Sequence, residues 1–576
     1  MEIQTSSSTA LASSSKSSLA LSSTSIVSIS PLRLFLAYFF FIWYLVIVLV
    51  ASLGFYTIIT RFRHSPDLAP SSKHNHQELD QEEEEIWEGV TIIRPIKGID
   101  PELMSCLESS FQQNYPIDKL QILFCIDDPL DPSIPLIQKL INKYSNADAE
   151  ILISKNYNIL AGHSDDYFGP NPKVNNLSKG FIASKFDILW IMDSNVWASE
   201  NILRNSVKSL NENLNNGTKV ASHPRSIKLV HHVPLAISIN GSNQNGNENK
   251  DEDEYVLTPV ESKESISTTG SSTSYRSTPP PPGITSTLLS TSSSSPTPII
   301  KNKRKRFLKK YGAKLDEMFL MTSHSKFYIS LNNLSVAPCV NGKSNIYRKS
   351  DLDKSVSLMS SAINSQFFGD SKVINDSKIL TSESMIPGNS IKFFSRYIGE
   401  DNMIGIALWE NCMGKTGLSG DIVIQPLSGA DNSINDYMKR RIRWLRVRKY
   451  MVLMATLVEP TTESIICGIY GTFAVSNIFL NQWFSWYYFI IHLIIWCGCD
   501  YYQYYTFVNN INGHKSLPHW LINLPPKSRK FINWWYIWVL REILALPIWI
   551  LAMIGHEIDW RGKPFMIKKD LTAEEL

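Results

Sequence analysis

Long apolar stretches lie toward both ends of the chain, and between them short apolar runs alternate with amphipathic ones. From Leu34 to Ile59 no residue is charged, and as a helix that stretch would reach about 39 Å, enough to cross a bilayer with some tilt. A cleaved leader has a shorter apolar core, nearer the start and ending in small residues, so the pattern predicts a membrane anchor over 31–60. Toward the other end, Ser464–Cys499 is uncharged and long enough for two closely spaced spans. Phe531–Ile554 is a third candidate, interrupted by Arg541-Glu542, two charges that a helix pairs poorly across one turn. One N-terminal span and two or three C-terminal ones are expected.

Between the spans the pattern is that of a folded domain. Val90–Ile93 reads as a strand, and Asp100-Pro101-Glu102 supplies an N-cap, a first-turn proline and an early acid for a helix. Leu120–Ile126 is an apolar run that stops at Asp127-Asp128-Pro129, and Ile188–Met192 stops at Asp193-Ser194-Asn195. Strands alternating with helices predict an α/β fold with a mainly parallel sheet, in which ligands bind beyond the carboxyl ends of the strands. Both acidic turns fall there.

Other stretches cannot build a core. Residues 1–30 are Ser/Thr/Ala-rich and predicted to be a disordered tail, and an acidic linker containing Glu82–Glu85 follows the anchor. Residues 239–311 are low-complexity, with Pro279–Pro282 inside and the basic run Lys301–Arg306 near their end, which reads as a surface for anionic lipid. A second Ser/Asn-rich loop insertion is expected over 355–391. The folded domain thus comes in two parts, 87–238 and 312–449, followed by a C-terminal membrane region and tail over 450–576.

Composition adds three points. With 56 Lys+Arg against 53 Asp+Glu, the net charge of +3 gives no reason to expect nucleic-acid binding. The 7 cysteines are scattered, odd in number and without CxxC pairs, as for reduced thiols in a cytosol-facing domain. Lys439, Arg440, Arg441, Arg443, Arg446, Arg448 and Lys449 stand without an intervening acid just before the C-terminal apolar region. They predict an interfacial basic helix and a central domain on the cytosolic side.

A lone Asp at a strand end is commonly a cap or turn former, but here Asp128, Asp193, Glu400-Asp401 and Arg440-x-x-Arg443-Trp444 share one chain. That set resembles the D, D, D, (Q/R)xxRW pattern of membrane-bound inverting glycosyltransferases with a GT-A fold. The runs Arg94–Pro101, Asn171–Leu177, Thr322-Ser323-His324 and Thr572-Ala573-Glu574-Glu575 narrow the resemblance to the ceramide glucosyltransferases. It implies a GT-A-type nucleotide-sugar domain with transmembrane helices at both ends, in the Golgi membrane. The substrates it implies are UDP-glucose and ceramide, with inversion at the sugar.

By resemblance, Asp128 positions the donor, Asp193 holds the donor phosphate through Mg²⁺ or Mn²⁺, and Lys173 contacts phosphate. Asp401 is the general base, with Glu400 beside it to raise its pKa. Arg440 and Arg443 would meet the pyrophosphate and Trp444 would lie near the acceptor, as would His324 and Cys339. Arg440 and Arg443 would share a helix face, with Arg441 pointing elsewhere. A processive polysaccharide synthase shares the pattern but threads its polymer through a larger helical bundle. A non-catalytic membrane scaffold with docking tails is the reading from a different class, and it would tolerate loss of Asp401.

Overall fold

The computed structural model describes residues 30–63, 87–155, 167–215, 225–239, 311–359, 368, 384, 386–430, 432–522, 530–560, 563–568 and 571–576. The expected N-terminal tail, the 239–311 insertion with its basic run and most of the 355–391 loop lie outside these residues. The described residues up to 49 with those of 461–498 make one compact unit, and the described residues of 50–460 with those of 499–576 make another.

The larger unit is built on an eight-stranded sheet. Its strands are β1 (Val90–Ile96), β2 (Leu120–Ile126), β3 (Asp148–Ile153), β4 (Ile188–Met192), β5 (Trp197–Ala198), β6 (Ser226–Ile239), β7 (Ser344–Arg348) and β8 (Gly414–Ser428), in the order β3-β2-β1-β4-β7-β6-β8-β5. The sequences of β1, β2 and β4 are near-continuous apolar runs because helices cover both faces. Ile92, Phe124 and Trp190 face one layer, which includes Leu103, Ile137 and Ile202. Ile93, Cys125 and Leu189 face the other, which includes Val174, Phe181 and Met403. Gly180 lets its helix close on that second face, since a Cβ there would stand 2.6 Å from Cys125 Sγ.

The sheet is mixed, not mainly parallel. β1 runs parallel to β2 and β4, β2 to β3, and β6 to β8. β7, however, is antiparallel to both β4 and β6, and β5 is antiparallel to β8. The parallel expectation holds in the half formed by β3, β2, β1 and β4, whose apolar runs carried it. The inserted β7 has no such signature. Its register pairs Ser344 with Met192, so the residues entering β7 lie beside those leaving β4. A separate antiparallel sheet of β9 (Glu557–Trp560), β10 (Lys563–Ile567) and β11 (Ala573–Glu575) closes the chain.

Among the described residues two helices are long and apolar enough to cross a bilayer, Pro31–Arg61 and Phe531–Ile554. The uncharged 464–499 stretch instead forms a short helix, Ser464–Phe479, and the first half of Trp486–Asn512. The second half of the latter is fastened to protein. Asp500 pairs with Lys326 at 2.5 Å and accepts from Trp538 Nε1 at 2.8 Å, and the Gln503 amide donates to the Met321 and Thr322 carbonyls. Within Phe531–Ile554, Arg541 and Glu542 are buried and bond to each other despite being adjacent. In the smaller unit, Gly471 lies against the Tyr44 ring, 2.3 Å from where a Cβ would be, and Tyr44 Oη bonds His492 Nδ1 at 3.0 Å.

Candidate active site

The site begins with a helix cap. Asn171 Oδ1 accepts the backbone N–H groups of Lys173 and Val174, and Pro172 pre-sets the first turn of Pro172–Ala183. The Asn171 amide donates to the Tyr397 carbonyl at 2.7 Å and to Glu400 Oε2 at 2.8 Å. One side chain thus starts a helix and fixes the loop that carries the second acidic pair.

Lys173 then projects from that first turn into a cradle of oxygens. Its Nζ lies 2.9 Å from Asp193 Oδ1, 3.1 Å from Glu400 Oε1 and 2.8 Å from the Gly342 carbonyl. The other Asp193 oxygen faces Lys343 Nζ at 3.0 Å, and Lys343 also reaches Asn195 Oδ1 at 3.3 Å. The Asp193 N–H donates to the Lys343 carbonyl at 3.1 Å, a direct result of the register between β4 and β7. Arg94, fully buried, donates to the Asp193 and Val196 carbonyls at 3.1 Å and also to that of Cys106, which fixes the acidic turn from beneath. Ser194 turns away to Asp100 Oδ2 at 2.9 Å.

Asp401 sits in the first turn of Glu400–Asn411, across Gly342 from this cradle. A Cβ on Gly342 would stand 3.1 Å from Asp401 Oδ2 and 3.3 Å from Lys173 Nζ, so only glycine leaves both groups their places. Burial, reinforced by the neighbouring Glu400 charge and opposed by Lys173, pushes the Asp401 carboxyl up to about 7. Burial would raise Asp193 too, but Lys173 and Lys343 overcome it and hold that carboxyl at about 2. Burial alone would lower Lys173, yet Asp193, Glu400 and Asp401 together keep it above its usual value. Two acids of the site are driven in opposite directions, the separation expected of groups with different chemical tasks.

The other expected residues lie around this core. Asp128 stays in its own turn at the carboxyl end of β2, accepting the Leu130 N–H at 2.8 Å, while Asp127 pairs with Lys179 at 2.8 Å. On the basic helix Ile434–Met451, Arg440 bonds the buried Asp316 and donates to Asn432 Oδ1 at 2.9 Å, whereas Arg443 reaches the Asp559 carbonyl at 3.5 Å. These partners lie on different segments of the chain. Arg441 lies 3.5 Å from the Phe319 ring centre and pairs with Glu459 at 3.0 Å, and Trp444 is half-buried on the same helix. The run of cations that looked unopposed in sequence is answered by acids and carbonyls from elsewhere. Arg446 and Lys449 donate to the last carbonyls of Phe531–Ile554, where the helix dipole favours them.

His324 ends a π-helical turn, Leu320–His324, and stacks on Tyr328 with ring centres 5.2 Å apart. Its Nδ1 is buried without a hydrogen-bond partner among the described residues. Burial, then Arg441 and Arg448, hold its pKa down at about 3, so the ring is neutral. Burial pushes the Cys339 thiol up, which keeps it from being a thiolate at neutral pH. The Asp401 charge acts on both Cys339 and Tyr328.

Sequence reasoning overlooked Gly342, Lys343 and Tyr328, and took Asn171 as a motif letter without its role as a cap. The Asn-Pro pair before a helix was a readable N-cap signal. Lys343 had none, because only cross-strand register brings it to Asp193.

The oxygen donors present do not fit a divalent ion as they are arranged. Mg²⁺ or Mn²⁺ can manage with one or two carboxylates plus substrate oxygens and water, but both oxygens of Asp193 already hold ammonium groups. An ion there would stand against two like charges. Among the described residues no three His, Cys, Asp or Glu side chains gather as a metal-binding group.

Comparison with known proteins supplies the family. The model for "Glycosyl transferase family 21" matches residues 44–228 and 387–573. A ceramide glucosyltransferase of Candida albicans is 58% identical over 95% of this chain and 99% of its own. One from Komagataella phaffii is 42% identical over 93% and 91%. Among solved structures, a mannosyltransferase from Pyrobaculum calidifontis in complex with GDP-Man and Mn²⁺ aligns with 91% of this chain and 98% of its own, at 10% identity and a TM-score of 0.30, a likeness that carries no residue across.

Proposed function

The chain belongs to glycosyl transferase family 21, and from that membership we propose that it moves glucose from UDP-glucose to the primary hydroxyl of ceramide, with inversion to a β-glucoside. Glucosylation of ceramide follows from the near-full-length identity to the Candida relative. UDP as the carrier, the inversion and the residue roles are the proposed part.

Asp401 accepts the proton of the ceramide hydroxyl, and the oxygen's electron pair forms the new bond to the anomeric carbon. The bond from that carbon to the phosphate oxygen breaks, and its electron pair leaves on UDP. A base working near neutrality needs a pKa close to 7, and the single observation that carries the assignment is the buried Asp401 held there beside Glu400 and across Gly342 from Lys173.

Asp128 is assigned to donor positioning, Arg443 to the diphosphate and Trp444, His324 and Cys339 to the acceptor side. Arg440, bound to Asp316, holds the basic helix in place. Mg²⁺ or Mn²⁺, expected from the resemblance, would have to displace a lysine from Asp193. A multi-pass Golgi protein with this domain on the cytosolic side accounts for a water-soluble donor meeting a bilayer-dissolved acceptor.

The test supplies the protein in lipid with ceramide and a panel of UDP-sugars and identifies the product by mass spectrometry. β-Glucosylceramide that is lost in Asp401→Asn is the expected result. A polymeric product would point to a polysaccharide synthase, and no product from folded protein to a scaffold.

A further inference from the structure

The two lysines that share Asp193 differ in what they have left to give. An ammonium group has three N–H donors. Lys173 places its three on Asp193, Glu400 and the Gly342 carbonyl, at 2.8 to 3.1 Å. Lys343 uses two, on Asp193 Oδ2 and Asn195 Oδ1, and its side chain is 20% exposed. Its third donor has no partner among the described residues.

Both lysines stand beyond the carboxyl ends of β1 and β4, where ligands bind in such sheets. The Arg94 guanidinium beneath the turn adds a third cation near Asp193, so the cluster does not present bare negative charge to an arriving diphosphate. A lysine on a flexible stem can turn from carboxylate to phosphate, keeping a charge-assisted bond to each.

We propose that Lys343 is the donor-diphosphate cation, that it fills the charge role a divalent ion would have on Asp193, and that Lys173 is a positioning residue which fixes Asp193 and Glu400. This inference rests on the glycosyl-transfer reading above. It reverses the phosphate assignment expected of Lys173, because the lysine with every donor engaged is the one least able to meet a new anion.

The test uses full-length protein in lipid and measures glucosylceramide formation by the wild type, Lys343→Met and Lys343→Arg, each with EDTA or with added Mn²⁺. UDP binding is measured by calorimetry on the same samples. The wild type is expected to stay within about twofold in EDTA. Lys343→Met is expected to raise KM for UDP-glucose about tenfold or more, the scale of one charge-assisted hydrogen bond, with KM for ceramide unchanged, and Lys343→Arg is expected to recover most of the loss. Wild-type activity abolished by EDTA and restored by Mn²⁺ overturns the proposal, as does an unchanged UDP-glucose KM in Lys343→Met. Should Lys343→Met fail to fold, the wild-type EDTA arm and UDP binding by Lys343→Arg still decide. If the wild type makes no glucosylceramide under any condition, the functional reading fails. UDP binding, weakened or not by Lys343→Met, then judges the lysine separately.

Discussion

As the proposed base, Asp401 would gain its reactivity from the company it keeps. Only its carboxylate form can accept a proton, and burial with Glu400 sets its pKa at about 7, so turnover is expected to rise with pH through that value and to fall away on the acid side. A kcat profile between pH 5 and 9 checks this. Glu400→Gln removes the like charge and should move the midpoint toward acid. Asp401→Asn should lower kcat by about a thousandfold, with the unfolding temperature little changed. Gly342→Ala places a methyl 3.1 Å from Asp401 Oδ2, and the displacement of base or lysine should cost about tenfold in kcat. At this scale the acids and the Asn171–Leu177 run were legible as motif letters. Gly342 and Lys343 were not, since their importance comes from a strand lying across the sheet rather than from their neighbours in sequence.

The helix Ile434–Met451 shows how an element can be recognised for one reason and built for another. Its cations read as a surface for headgroups, yet Arg440, Arg441 and Arg448 pair with Asp316 and Glu459, while Arg446 and Lys449 cap the carbonyls of Phe531–Ile554. Those partners lie far along the chain, so no local pattern announced them. Asp316 is buried, and burial raises its pKa against the pull of Arg440. Removing that cation strands a charge, and Arg440→Met should destabilise the fold by about 3 kcal/mol, measured by chemical denaturation. The capping box of Ser433 with Asp436 starts this helix. Ser433→Ala should cost about 1 kcal/mol, a difference large enough to separate the two effects. The Trp486–Asn512 helix teaches the converse. Its first half supported the expectation of spans, but Asp500 and Gln503 in its second half have protein partners.

For the molecule as a whole, two helices suited to a bilayer bracket the catalytic sequence, and the protein is expected to stay in the membrane pellet after alkaline carbonate extraction. Recovery in the supernatant would remove the case for spanning. The closing sheet ties distant parts together. Thr572 bridges Tyr397, whose carbonyl receives the Asn171 amide three residues before Glu400, and Arg443 and Arg446 donate to carbonyls of Asp559 and Glu557 in or beside β9. That bridge sets an order in time. A ribosome that has released Asp401 has yet to translate Thr572, so a nascent chain carries Asp401 before it carries the strand that bridges the loop of Tyr397. A chain cut short or clipped ahead of β9 would therefore hold its acids and lysines without the bridge from Thr572 to Tyr397, and the proposed base would lack that brace.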